Sequence, residues 1–313
     1  MPSSRLIDLS FPAELLLEVI QHVPFDDAFV AKLSLIHPRI KSLLTNHEIS
    51  ITKHFIRSQL PHALTDFPTE VKNIGYAWLS QCIHQYDTMD GVMATLTSEL
   101  NCFAVQNHNM ALVNTGLLLL YRLFSFDAHE DKIAFIKSLP RDPLTAMFLA
   151  VHYSKYTARY NAKGIINQRT YGRFLDTNQL LLRNEIEFSF SEGVMNLGPA
   201  FISDVLSHID AAETTLMCLY HDNAQHGWGT QEENFQPPVT QGPAKNPVTK
   251  PRTLYTTLLE RLAELYDCPL EEAVTLIEDD TDIPDHPLSC IGLWGKARLL
   301  KGLNLENGED GVE

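Results

Sequence analysis

Residues 11–24 read Phe11-Pro12-Ala13-Glu14-Leu15-Leu16-Leu17-Glu18-Val19-Ile20-Gln21-His22-Val23-Pro24, and this stretch decides the fold. Leu15, Leu16, Val19, Ile20 and Val23 recur at helical spacing, with Glu18, Gln21 and His22 opposite them. Ser10 is placed to cap the helix, Pro12 suits its first turn, and Glu14 sits where a carboxylate favours the positive end. Pro24 ends the element, and Asp26 and Asp27 can cap a second helix over 28–36. Pro38 forces a boundary because it disfavours helical geometry at His37, and threatens to cut short a third helix over 39–44. Asn46 is placed to cap a fourth helix reaching residue 59. A module this small cannot build a self-sufficient core, so it should leave an apolar stripe for a partner.

The same texture continues outward. Apolar residues recur every three or four positions, and alternating stretches are scarce. Helices are predicted over 68–85, opened by Pro68-Thr69-Glu70, then over 90–100, 109–126 and 130–139. The next spans 142–161, with Asp142 at the N-cap and Pro143 at the first helical position. Further helices are predicted over 178–190, 200–220, 253–266, 270–279 and 287–303. Residues 227–252 hold five prolines and three glycines among few apolar residues, the composition of a flexible loop. The predicted class is all-α. A three- or four-helix module at 9–60 precedes a larger irregular helical domain at 61–226. The loop at 227–252, a C-terminal helical segment at 253–303 packing on that domain, and an acidic tail at 304–313 complete the order. No repeat of solenoid or propeller period occurs.

Hydrophobic residues make up 44% and charged residues 20% of the 313, the balance of an ordinary globular protein. The longest apolar stretch, 110–126, contains Asn114 and Arg122 and is too short and polar to span a bilayer, so no membrane partner is expected. The first residues lack the apolar run of a secretory signal. The five cysteines are scattered and odd in number, which suits reduced thiols in the cytoplasm or nucleus. Net charge is −15, and residues 264–313, with 13 acidic and 3 basic side chains, supply −10 of it. That balance argues against nucleic acid, whose phosphates need clustered Lys and Arg. It keeps a C-terminal helical segment solvated, or it offers a docking surface to a basic partner.

The N-terminal stretch resembles the F-box family. Its motif is matched by Phe11-Pro12-Ala13-Glu14-Leu15-Leu16, Val19-Ile20, Val23-Pro24, Asp27, and Leu33-Ser34-Leu35-Ile36-His37-Pro38-Arg39-Ile40-Lys41-Ser42-Leu43-Leu44. Residues 45–51 look like the continuation seen in filamentous-fungal members. Phe11 replaces the usual Leu, Pro38 interrupts the basic stretch, and Ile40 replaces an aromatic. The resemblance covers residues 9–60. It implies docking to the BTB-fold adaptor of a cullin–RING ubiquitin ligase and, through it, to the cullin. The implied contact residues are Phe11, Pro12, Leu15, Ile20, Val23, Leu33, Leu35 and Ile36. The family role it implies is a substrate receptor of an SCF-type ligase, with residues 61–313 recruiting a protein client that the sequence does not identify. Such a subunit carries no catalytic residue, metal or cofactor.

Two other readings compete. In one, 9–60 is simply the start of an adaptor-independent all-α scaffold, its apolar stripes buried in its own core. In the other, His208, His221, Asp222 and His226 form a metal-dependent hydrolase site, although no ligand spacing supports it. His47-Glu48 and His54 lack the four-residue spacing of a zinc helix, and no Gly-x-Ser-x-Gly elbow or phosphate loop occurs. The aromatics Tyr153, Tyr156, Tyr160, Phe188, Phe190 and Phe201 are core candidates.

Overall fold

The computed structural model describes residues 11–26, 28–99, 104–170, 177–226 and 252–305. Among these the fold is all-α, with 16 α-helices and no strand. Ser10, Asp27, the Pro/Gly-rich stretch through Pro251 and the tail from Glu306 onward lie outside the described residues. The chain divides into two compact units, Met1–Asp87 and Thr88–Glu313.

The first unit opens with α1 (Ala13–Gln21), α2 (Phe29–Ile36), α3 (Pro38–Asn46) and α4 (Glu48–Gln59). Pro38 does not shorten α3; it starts it. His37 is extended (φ −161°, ψ 143°), Pro38 takes the first helical position, and His37 Nδ1 accepts the Arg39 backbone N–H at 3.1 Å. Asn46 closes α3 instead of capping α4, whose N-cap is His47. The predicted helices at 68–85 and 90–100 are one element, α6 (Tyr76–Leu96). Pro68-Thr69-Glu70 is not its first turn: a short 3₁₀ turn, Val71–Asn73, comes first. Glu48 Oε1 then accepts the Tyr76 backbone N–H at 2.9 Å, so α4 caps α6. Nothing between Gln85 and Asp90 breaks the helix. The core of this unit gathers Leu16, Ile20, Phe25, Phe29, Leu44, Ile51 and Phe55, and Ile74 and Leu79 complete it, so the unit runs past residue 60 to Asp87. Between α4 and α6 the short α5 (Ala63–Asp66) buries Asp66, which accepts the Tyr86 hydroxyl at 2.7 Å. Burial beside that carboxylate pushes the Cys82 thiol up to about 12, an inert structural thiol.

In the second unit α7 (Met110–Phe124) and α9 (Arg141–Tyr160) form the centre, each with a long buried face. Their approach is close at Gly116, where a Cβ would collide with the Ala146 carbonyl. Around them pack α8 (His129–Ser138), α10 (Ile165–Thr170), α11 (Thr177–Leu197) and α12 (Pro199–Leu206). The predicted helix at 200–220 is two, α12 and α13 (Asp210–His226), because the chain turns at His208, whose φ is +60°. The C-terminal segment supplies α14 (Leu254–Tyr266), α15 (Leu270–Thr281) and α16 (Leu293–Leu300), and α14 packs on α8, α9 and α11.

Two buried carboxylates tie that segment in. Glu192 on α11 accepts the backbone N–H groups of Leu254 and Tyr255 at 3.2 and 2.9 Å, satisfying the start of α14. Burial pushes its carboxyl above the ordinary range, against the pull of those bonds and of Asn196. Asp142 is not the N-cap of α9, a position held by Pro140. It is buried in the first turn, where its carboxylate accepts the Leu305 backbone N–H at 2.8 Å. On α15, Glu278 meets His152 of α9 at 2.5 Å, and that hydrogen bond holds its carboxyl below its usual value of 4.5.

Two outcomes test this packing. Gly116→Ala should lower unfolding free energy by about 1–3 kcal/mol in chemical denaturation, since backbone on the facing helix cannot give way. A carboxyl with a depressed folded value stabilises above its unfolded value and loses that contribution as pH falls through the folded one. Thermal melts should therefore show wild type losing stability below pH 4.5 more steeply than Glu278→Gln.

Candidate functional site

The site is what α1 and α2 leave uncovered. Helix geometry gives α1 two adjacent apolar stripes, and packing chooses between them. Leu16 and Ile20, four apart, turn inward onto Phe25, Phe29 and Phe55, whose ring centroids lie 5.0–5.3 Å apart. Leu15 and Val19, four residues apart on α1, then face out, and Val23, just past the end of the helix, is exposed as well. Leu15 and Val19 are each 47% exposed. At the end of α2, Leu35 is 87% exposed and Ile36 lies beside it, also exposed.

Arg39 links these two places. Its guanidinium donates to the Phe11 carbonyl, which brings the α2–α3 junction to the first turn of α1. Near the two ends of that bond, Pro12 and Leu15 on one side and Ile36 and Pro38 on the other are all exposed. An ion pair between Lys32 and Asp26 at 2.6 Å fastens the entry of α2, and the Lys32 ammonium lowers the Asp26 carboxyl.

Of the eight residues expected at the partner contact, Pro12, Leu15, Val23, Leu35 and Ile36 are exposed. Ile20 is not available. It is 3% exposed and belongs to the unit's own core. Phe11 and Leu33 are partly buried and pack on that core. Val19, not among the eight, is exposed beside Leu15, and its spacing of four from that residue was the signal that the two share a face of α1. A surface of this kind does no bond chemistry. Each aliphatic side chain could add roughly 1.5–3 kcal/mol on full burial against a partner.

The histidine reading fares differently. His208 Nδ1 lies 3.5 Å from Glu213, while His221 and Asp222 are exposed on α13, and the His226 side chain lies outside the described residues. Among the described residues no three His, Cys, Asp or Glu side chains gather in a way that could hold a metal ion. No helix among them is long and apolar enough to cross a membrane. No family model, curated protein or solved structure matches the chain.

Leu15→Asp combined with Val19→Asp should cost only about 1 kcal/mol, the helix-propensity penalty at exposed positions. Ile20→Asp should cost about 4 kcal/mol or more, because it buries an unpaired charge. Urea unfolding of the two variants beside wild type measures both, and equal losses would mean that the assigned faces of α1 are wrong.

Proposed function

We propose that this chain is a substrate receptor of an SCF-type cullin–RING ubiquitin ligase. Its N-terminal unit docks the BTB-fold adaptor and, through it, the cullin, while residues 88–313 recruit a protein client. The observation that carries the reading is the exposure of large apolar side chains in two places that the Arg39–Phe11 bond ties together, Leu15, Val19 and Val23 along and just past α1 and Leu35 and Ile36 at the end of α2. A module with its own aromatic core has no internal need for these side chains, and contiguous exposed apolar surface marks an interaction site. The F-box resemblance of residues 11–44 supplies the partner's identity. In this role the protein makes and breaks no bonds; it raises the effective concentration of client beside the charged conjugating enzyme.

One observation favours the adaptor-independent scaffold. Ile20, Phe11 and Leu33 serve the unit's own core, which reaches as far as Leu79, so the module closes on itself more fully than its length suggested. Affinity capture separates the two. Tagged wild type should retrieve a BTB-fold adaptor and a cullin, and the folded Leu15→Asp/Val19→Asp variant should retrieve neither. Failure of wild type to retrieve the adaptor, or equal retrieval by the variant, would overturn the ligase reading.

A further inference from the structure

Residues 270–295 contain seven carboxylates and no lysine or arginine, and α16 then adds two cations, Lys296 and Arg298. Three of the seven are engaged: Glu278 by His152 at 2.5 Å, Asp280 by His286 at 3.2 Å, and Asp282 by Gln106 at 2.6 Å. The other four, Glu271, Glu272, Asp279 and Asp285, are exposed and make no ion pair among the described residues. Large apolar side chains stand exposed among them. Leu276 and Asp279 share the outer face of α15, and Ile283 follows just past its end. Leu293 and Trp294, the latter 59% exposed, open α16.

Local bonds hold these pieces at one end of the second unit. Ser289 Oγ donates to the Ile283 carbonyl at 3.0 Å. The Cys290 backbone N–H donates to the His108 carbonyl at 2.8 Å, and His108 Nε2 lies 3.2 Å from the Thr281 carbonyl. Residues 289 and 290 are thus pinned beside the last turn of α15, and Leu293 follows three residues on, a reach of about 10 Å at most. Arg298 stands over the Trp294 ring at 4.9 Å, which orients the indole from one side.

We propose that this acidic, tryptophan-bearing end of the second unit is a docking surface for a lysine- or arginine-rich amphipathic segment of another protein. Charge complementarity selects the occupant. Unpaired carboxylates repel acidic segments and steer basic ones, while Leu276, Ile283, Leu293 and Trp294 offer apolar anchorage that a purely polar basic stretch cannot use. A lipid surface is disfavoured, because the anionic leaflet would face the same carboxylates. The docking does not depend on the ligase reading.

The probe is a fluorophore-labelled synthetic helix of leucine and lysine, its leucines on one face, titrated into the full chain and followed by anisotropy at physiological salt. Saturable binding to one site is expected. Trp294→Ala with Ile283→Ser should weaken it about tenfold or more, the loss of a central aromatic anchor. Asp279→Asn with Asp285→Asn should weaken it and flatten its salt dependence. Glu130→Gln with Asp131→Asn, which removes equal charge from α8, should stay within about twofold of wild type. Leu15→Asp with Val19→Asp should bind as wild type does, although it loses the adaptor, so the two proposals fail separately. Binding that never saturates, a loss at α8 as large as that at α15, or an unchanged Trp294 variant would overturn the docking surface.

Discussion

Three phenyl rings, Phe25, Phe29 and Phe55, pack with centroids no more than 5.3 Å apart, and the first unit is arranged around them. Tyr76 stacks on Phe25 at 6.1 Å and donates its hydroxyl to the Leu44 carbonyl, so the start of α6 and the last turn of α3 meet the same cluster. Aromatic rings bury large areas and prefer tilted or edge contacts, which leaves little freedom in how the helices around them rotate. Once Leu16 and Ile20 fill the space beside the rings, the rotation of α1 is set, and the neighbouring stripe has nowhere to go but outward. The candidate docking edge is thus a consequence of the core.

In the second unit the comparable constraint is polar. Helix starts leave backbone N–H groups without partners, and burying them uncompensated would cost more than the fold can spare. Glu192 answers this at the start of α14 with a buried carboxylate, and Asp142 turns a second one to the Leu305 amide beyond the end of α16, both far away in sequence. They join residues 254–305 to α9 and α11, around the close α7–α9 contact permitted by Gly116. The acidic excess of the C-terminal segment is not uniform either: Glu278, Asp280 and Asp282 are engaged by His152, His286 and Gln106, and others are left to solvent.

Several local rules were legible in the sequence and misassigned in detail for an identifiable reason. Asp142-Pro143 carries the composition of a helix start, yet the chain begins α9 two residues earlier, with Pro140 at the N-cap, and turns the aspartate to a distant amide, a demand that sequence cannot reveal. Asn46 looks like a cap but ends the preceding helix, because His37 and Pro38 start α3 early enough for it to run on. Residues 86–89 hold no breaker, so two apolar patterns merged into α6, and Gly91 inside it meets no packing obstacle. The Glu48 cap on Tyr76 spans 28 residues, a distance over which no spacing rule operates.

Periodicity and composition are local properties, and from them follow the helical character of the described chain, the amphipathic first helices and the concentration of negative charge near the C-terminus. Only the tertiary structure decided which of two neighbouring stripes on α1 enters the core, that Ile20 is unavailable to a partner while Val19 is exposed, and which carboxylates are occupied. Those outcomes depend on what packs opposite, and helical spacing alone treats adjacent faces as equivalent.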